Sequence, residues 1–345
     1  MKQSIKKTVI LLVIAAMVFS FASCSGSEDS ETYELSLAHF FPGTHPAETV
    51  FVQGWISRID EATGGRVKIT SYPGGTLVGA TETYNQVVEG VADIGLSCFS
   101  YTRGQFPVLE AFELPGITYK NSKVASMVAW DGIKQLNPEE VQDTKLLMVI
   151  ATGPGDLFTT VPVTTLDDMQ GLEIRATGLS AKTIEALGGT PVGMPQSDAY
   201  EALSKGIVKG NLSPVEVLKG WKHGEVTDYI TRTPFLYNTL FFVTMNLEKW
   251  NSMPKELQDI ITETTETFHQ EVGIGLWDMQ NEAGMDYAIN EQGMEVFDLS
   301  AEETALWIEK VQGIQDEYSA SMDSLGLDDA LDTVKTLAEK YNGIY

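Results

Sequence analysis

The chain has 345 residues, 48 of them acidic against 23 basic, for a formal charge of −25, and it contains two cysteines. A field of that sign excludes nucleic acid and anionic lipid surfaces as partners. The length exceeds what one compact core usually holds, so two lobes are expected.

Lys2, Lys6 and Lys7 precede an apolar run from Val9 to Phe21, the layout of a secretory signal and too short to span a bilayer comfortably. Phe21-Ala22-Ser23-Cys24 has the small residues before a cysteine of a bacterial lipobox, so residues 1–23 are expected to be removed and Cys24 to carry lipid (diacyl and palmitate chains). The other reading is an ordinary secretory leader followed by an incidental cysteine. Losing the three leader lysines takes −25 to −28. Residues 24–32, nearly all Ser, Gly and acidic, read as a tether between lipid and fold. The protein is placed outside the cytoplasmic membrane, on its periplasmic or extracellular face. With Cys24 consumed, Cys98 stands alone and no intramolecular disulfide is possible.

From Leu35 the pattern alternates as a strand. A turn-rich loop from His39 to Pro46 follows, then a helix with Val52, Trp55, Ile56 and Ile59 on one face, stopped by Gly64-Gly65. Val67 and Ile69 alternate as a second strand, Tyr84, Val87, Val88 and Val91 mark a helix, and Asp93 to Ser97 returns as a strand. This β-α-β-α-β order predicts a parallel-sheet lobe over 33–150. Leu146 to Ile150 and Leu172 to Ala176 restart the alternation, giving a second α/β lobe over 151–239. The apolar segment at about 240–253 follows without a linker and is expected to return to the first sheet. From 254 to 292 a helical stripe through Leu257, Ile261, Phe268, Leu276 and Ala283 would reach about 55 Å, enough to brace both lobes. Gly273 and Gly275 permit a kink in it, and two separate helices is the other reading. Ser300 and Glu303 have capping-box spacing, and 293–345 reads as C-terminal helices packed on the lobes. The fold class is therefore α/β, two-lobed, like a class II periplasmic binding protein.

The chemistry-bearing motifs are sparse. The four histidines, His39, His45, His223 and His269, form no H-E-x-x-H, and no G-x-S-x-G or C-x-x-C occurs. His39 and His45 share a loop but lack a third metal ligand, so neither metal nor cofactor is expected. Gly74-Gly75 and Gly153-Pro154-Gly155 lack the Lys and Ser/Thr of a phosphate loop and read as turns. Carboxylate pairs are abundant in so acidic a chain and carry little weight. A secreted lipoprotein hydrolase stays open on the residues alone.

The run Asp167-Asp168-Met169-Gln170-Gly171-Leu172-Glu173-Ile174-Arg175 leads to Leu187-Gly188-Gly189-Thr190-Pro191-Val192 and then to Ser197-Asp198-Ala199-Tyr200-Glu201-Ala202-Leu203. With Ser71 to Leu77 and Glu89 to Gly95 upstream, it resembles the solute receptors of tripartite ATP-independent periplasmic (TRAP) transporters, from about Tyr33 to the end. The resemblance implies a receptor without catalysis that captures a small organic carboxylate by hinge closure and delivers it to TRAP membrane permease subunits driven by an ion gradient. A receptor for an ATP-driven importer is the alternative within that class. It further implies that Arg175 meets the ligand carboxylate, and a planar guanidinium fork suits two carboxylate oxygens. Carried over with it as ligand contacts are His39 and Phe40, Ser97, Cys98 and Tyr101, and Gln196 and Ser213. Where some relatives have a second arginine, this chain has Gly153-Pro154-Gly155-Asp156, which disfavours a highly charged sugar acid. Where the family commonly has Asp-Gly, it has Lys209-Gly210-Asn211. Phe40, Phe41, Tyr101, Phe158 and Trp221 are candidate walls for an apolar or aromatic body, with Trp221 equally readable as core.

Replacing Cys24 by Ser should release the protein from membranes. A Cys24→Ser protein that still sediments with membranes after a high-salt wash would remove the lipid anchor.

Overall fold

The computed structural model describes residues 31–327 and 330–345. The leader, Cys24 and most of the tether lie outside the described residues. Two sheets organise the chain. In the first, β1 (Tyr33–His39), β2 (Val67–Tyr72) and β3 (Ile94–Cys98) run parallel in the order β2-β1-β3. The strand Leu240–Asn246 (here βR, for return) enters antiparallel between β3 and β4 (Thr144–Ala151). Its Leu-Phe-Phe-Val-Thr-Met run is buried at every position, as a central strand covered on both faces requires.

The second sheet holds β5 (Gly155–Thr159), β6 (Glu173–Arg175), β7 (Thr190–Val192), β8 (Gly210–Pro214) and β9 (Tyr229–Arg232), and its outer strand is Glu295–Asp298, parallel to β9. That last strand corrects the reading of 293–345 as helices alone. It is short and half exposed, with one apolar pair, Val296 and Phe297, so no periodicity announces it. Helices Ala301–Leu325 and Leu331–Asn342 follow. At the start of the first, Ser300 accepts from the Glu303 amide, but the Glu303 carboxylate does not return to Ser300. It accepts from the Leu166 amide at 2.8 Å and from Trp307 Nε1 at 3.2 Å, tying this helix to the second lobe.

The expected single brace is broken. Lys255–Glu271 and Leu276–Asp286 are separate helices joined by a 3-10 turn over Gly273–Gly275. The first lies on lobe I, where Trp55 Nε1 donates to Thr265 Oγ1 at 3.0 Å and a His269 ring nitrogen meets the Val149 carbonyl at 2.8 Å. The second reaches both lobes. Asp278 caps the helix Ser122–Leu136 by accepting from the Ser122 amide at 2.7 Å, and Asn281 Oδ1 accepts from the Glu216 amide at 2.9 Å in lobe II.

The two sheet-to-sheet crossovers, 151–155 and 232–240, are stitched to each other. The Thr152 amide donates to the Thr239 carbonyl at 3.0 Å, the Thr239 amide to Thr152 Oγ1 at 3.2 Å, and the Gly153 amide to Asn238 Oδ1 at 3.0 Å. Gly153 has φ +72°, and a Cβ there would lie 2.6 Å from the Ser122 amide nitrogen, so this crossing tolerates glycine only.

Beside this crossing Glu113 is buried, accepting from the Leu240 amide at 2.7 Å, and burial pushes its carboxyl up to about 8. A carboxyl raised in the folded state stabilises the fold at pH values below its ordinary range and loses that contribution as pH rises towards 8. Glu113→Gln keeps an acceptor for Leu240 without the titration. Its stability, followed by melting curves, should gain on the parent between pH 5 and 8, with a slope in unfolding free energy of up to about 1.4 kcal/mol per pH unit. Parallel melting curves across that range would refute the assignment.

Candidate functional site

The carboxyl ends of β1, β3, β6 and β8 converge where the two sheets face each other, the usual position for a ligand in open α/β sheets. A cavity there is lined from lobe I by Phe40, Phe41, Cys98, Ser100 and Tyr101, and from lobe II by Arg175, Thr177, Gln196, Ser213, Glu216 and Trp221. The crossovers and βR add Thr152, Tyr237, Thr239 and Phe241. A surface groove around Trp130, Lys134, Pro138, Lys145 and Glu266 lies elsewhere on lobe I. It includes no residue of lobe II, so lobe closure cannot enclose it.

Arg175 ends β6 and is 2% exposed. Its Nε donates to the Met194 carbonyl at 3.1 Å and Nη1 reaches Ser213 Oγ at 3.5 Å. Among the described residues no carboxylate oxygen lies within 4.0 Å of it. A buried cation is ordinarily paired, since several kcal/mol of hydration are otherwise lost.

Behind Arg175 runs a polar chain with one direction. Ser213 Oγ accepts from the guanidinium and donates to Asn211 Oδ1 at 3.1 Å, which turns the Asn211 amide nitrogen to His223 Nδ1 at 3.1 Å. Nδ1 is therefore an acceptor, and Nε2 carries the imidazole proton. Gln196, 3.0 Å from Nε2, satisfies that donor only with its oxygen turned inward, which leaves its NH2 group on the cavity side. Burial first, and then the Arg175 charge, push His223 down to about 3, so the ring stays neutral and the chain keeps its polarity at neutral pH.

Tyr101 joins the lobes. It follows β3 in lobe I, yet its hydroxyl accepts from the Gln196 amide of lobe II at 2.9 Å. A second bridge runs from His45 Nε2 to Glu216 Oε2 at 3.0 Å. The apolar wall is a set of rings. Phe40 stacks on Phe41 at 4.4 Å, on Trp221 at 6.0 Å and on Phe241 at 6.2 Å, and Phe241 in turn stacks on Trp277 at 4.8 Å.

Of the residues expected at the site, Arg175, Phe40, Cys98, Tyr101, Gln196 and Ser213 line this cavity, and His39 and Ser97 do not. Side chains alternate along a strand, so Ser97 faces away from its neighbour Cys98 and donates to the Ala80 carbonyl at 2.7 Å. His39 is drawn into lobe I by Glu48 at 2.8 Å and Ser71 at 3.2 Å. Phe158 also leaves the candidate wall, being packed in the lobe II core with Val215 and Ile230, whereas Trp221 lines the cavity. Glu216, Thr152, Tyr237, Thr239 and Phe241 escaped sequence reasoning. One acid among 48 acidic residues carries no signal, and Phe241 reads only as strand core.

Two α/β lobes facing each other across a cavity, with a buried arginine that has no carboxylate partner among the described residues, define a ligand-binding receptor. The chain belongs to the bacterial extracellular solute-binding proteins of family 7 (DctP), whose profile it matches over residues 37–321. It is similar to a TRAP solute-binding protein of Rhodoferax ferrireducens solved with copurified benzoate, at 27% identity and TM-score 0.84, covering 91% of this chain and 99% of that one. A marine metagenome TRAP protein specific for aromatic acid ligands, solved with meta-hydroxyphenylacetate, shares 29% identity at TM-score 0.84 over 90% and 99%. A Desulfovibrio salexigens TRAP protein in an open complex shares 32% at TM-score 0.77 over 91% and 96%. No helix among the described residues is long and apolar enough to cross a membrane.

Tyr101→Phe leaves the Gln196 amide without its acceptor across the cleft, which should weaken closure by roughly 1–3 kcal/mol. Small-angle scattering should give the variant a larger mean radius of gyration at unchanged helix content. An unchanged radius would mean that Tyr101 does not hold the lobes together.

Proposed function

We propose that this receptor captures a monocarboxylate with an aromatic or apolar body by closing its lobes, and passes it to TRAP permease subunits. In this reading it waits outside the cytoplasmic membrane on a lipid anchor at Cys24. The observation that carries the reading is Arg175, buried at 2% exposure with no carboxylate partner among the described residues. A ligand carboxylate would supply the missing charge through two parallel N–H···O bonds. The aromatic wall of Phe40, Phe41, Trp221 and Phe241 supports a ring-bearing ligand, as do the benzoate and hydroxyphenylacetate held by the two relatives. The other cation of some relatives is absent here. Asp156, in the loop expected to offer it, is buried, accepts from the Thr233 amide at 2.7 Å and is pushed up to about 6 by burial.

Closure is supported by the two cross-lobe bridges. It is supported also by the poorer superposition on the open relative, at 0.77 against 0.84, in spite of its higher identity. Binding without catalysis fits the side chains present. Burial pushes the Cys98 thiol well up, out of the thiolate form a nucleophile needs, and both His223 nitrogens are occupied.

Arg175→Lys keeps the charge and loses the fork. Titration calorimetry with benzoate or phenylacetate should show binding weakened by roughly 2–4 kcal/mol, about 30- to 1000-fold, with the melting curve little changed. A variant that binds as tightly as the parent would overturn the carboxylate reading.

A further inference from the structure

Glu216 is an odd neighbour for a site that takes an anion. It lines the same cavity as Arg175, is 3% exposed, and sits on lobe II just after β8. Its Oε2 accepts from His45 Nε2 across the cleft at 3.0 Å. His45 Nδ1 accepts from the Ala47 amide at 3.1 Å, so the ring carries its proton on Nε2 and is neutral. The histidine therefore donates one hydrogen bond to Glu216 and supplies no positive charge to cancel it. The second oxygen, Oε1, has no hydrogen-bond partner among the described residues and keeps accessible surface in the cavity that Glu216 lines, so a ligand that covers it without a donor incurs a cost. The chain holds the carboxylate there deliberately. A Cβ on Gly220 would lie 2.6 Å from Glu216 Oε2 and 2.7 Å from His45 Nε2, so a glycine is what leaves room for the pair. Next to it, Trp221 lines the cavity with a buried indole N–H that has no acceptor. One wall thus offers an unused acceptor and an unused donor, while Arg175 meets the carboxylate.

We infer that Glu216 makes the receptor selective for carboxylates bearing a second polar group that donates a hydrogen bond, with a ring hydroxyl the fitting chemistry. A hydroxyl donates to Glu216 Oε1 and keeps an oxygen able to accept, the bond that the Trp221 N–H lacks. An ammonium group shares the donor chemistry but leaves the indole N–H unanswered. The inference rests on the carboxylate reading of Arg175 and deepens it, because a ligand with an acceptor alone at that place would set its lone pairs against the carboxylate.

The test is a calorimetric panel on the intact protein: benzoate and phenylacetate, their meta- and para-hydroxy forms, the matching methoxy ethers, and meta- and para-aminomethylbenzoate. At least one hydroxylated acid should bind about tenfold or more tighter than its methoxy twin, a ratio set by one hydrogen bond to a charged acceptor. Tighter binding of an aminomethyl acid than of any hydroxy acid would keep Glu216 as the donor's partner and make that donor a cation. In Glu216→Gln the single oxygen remains on His45 and an NH2 group faces the cavity. The hydroxy-over-methoxy ratio should then fall to about one or invert, which loss of packing alone would not produce, since it lowers both affinities together. The parent-protein panel decides the matter even where that variant does not fold. Methoxy and hydroxy acids of equal affinity, with benzoate bound as well, would overturn this inference and leave the Arg175 reading standing. Failure of every carboxylate to bind would overturn both.

Discussion

The structure turns on a cation held inside an acidic protein without a partner. Burying a guanidinium forfeits hydration that a carboxylate would ordinarily repay, and this chain has 48 acidic residues to draw on. Instead Arg175 receives neutral acceptors, the Met194 carbonyl and the Ser213 hydroxyl, which fix its direction and leave its charge uncancelled. Such an arrangement is stable only within a frame rigid enough to prevent collapse onto a nearby acid. The Ser213, Asn211, His223 and Gln196 chain is that frame. Ser213, Asn211 and His223 each have one donor and one acceptor spoken for, and Gln196 closes the chain with its oxygen, so none of the three can rotate without leaving a buried polar atom unpaired.

The same frame explains why the two lobes need not be rigidly joined. One core, around Phe41, Trp55 and Phe268, lies in lobe I and another, around Phe158, Val217 and Ile230, in lobe II, while a third runs from Val149 and Phe242 of the first sheet to Leu157, Ile174 and Leu212 of the second. The crossovers hold to each other through one backbone bond, Thr152 to Thr239, and through the Thr152 and Asn238 side chains. The brace helps because it is not one rod. Lys255–Glu271 belongs to lobe I, and the turn at Gly273–Gly275 lets Leu276–Asp286 meet lobe II at Asn281 without carrying the bending stress along the whole length.

Lobe I was legible because its first two strands alternate, as at Leu35 and Leu37 and at Val67 and Ile69, and its helices have clear stripes, as at Val52, Trp55 and Ile59. Lobe II was legible only through the stretches around Ile174 and Leu203. Its β5 and β8, Gly-Asp-Leu-Phe-Thr and Gly-Asn-Leu-Ser-Pro, are buried at every position but half polar in composition. They depart from the rule that buried strands are apolar because Ser213 donates to Asn211 and Asn211 reaches His223 behind Arg175, while Asp156 accepts from the Thr233 amide. Arg175 was found through the motif around it. His39 and Ser97 were misplaced by a single residue's alternation at a strand end, where one step turns a side chain from the cavity to the opposite face.

Glu216 and Arg175 together change how selectivity should be understood here. Were the cavity lined by the cation alone, any anion of suitable size would be drawn in, and selectivity would fall to shape, where a methylene or a ring substituent is worth only about 1–3 kcal/mol. An acid on the same lobe, across the cavity lining from the cation, alters the balance. It repels a second carboxylate and disfavours a bare acceptor, and it favours a ligand with a donor at the right remove from its own carboxylate. Because His45 reaches Glu216 from the other lobe, the bond that fixes the acid forms only when the cleft is shut. The donor on the ligand and the donor on His45 then act on the same carboxylate. A ligand that lacks the donor leaves Oε1 desolvated and unpaired in the closed state but hydrated in the open one, so selectivity is exerted on closure itself.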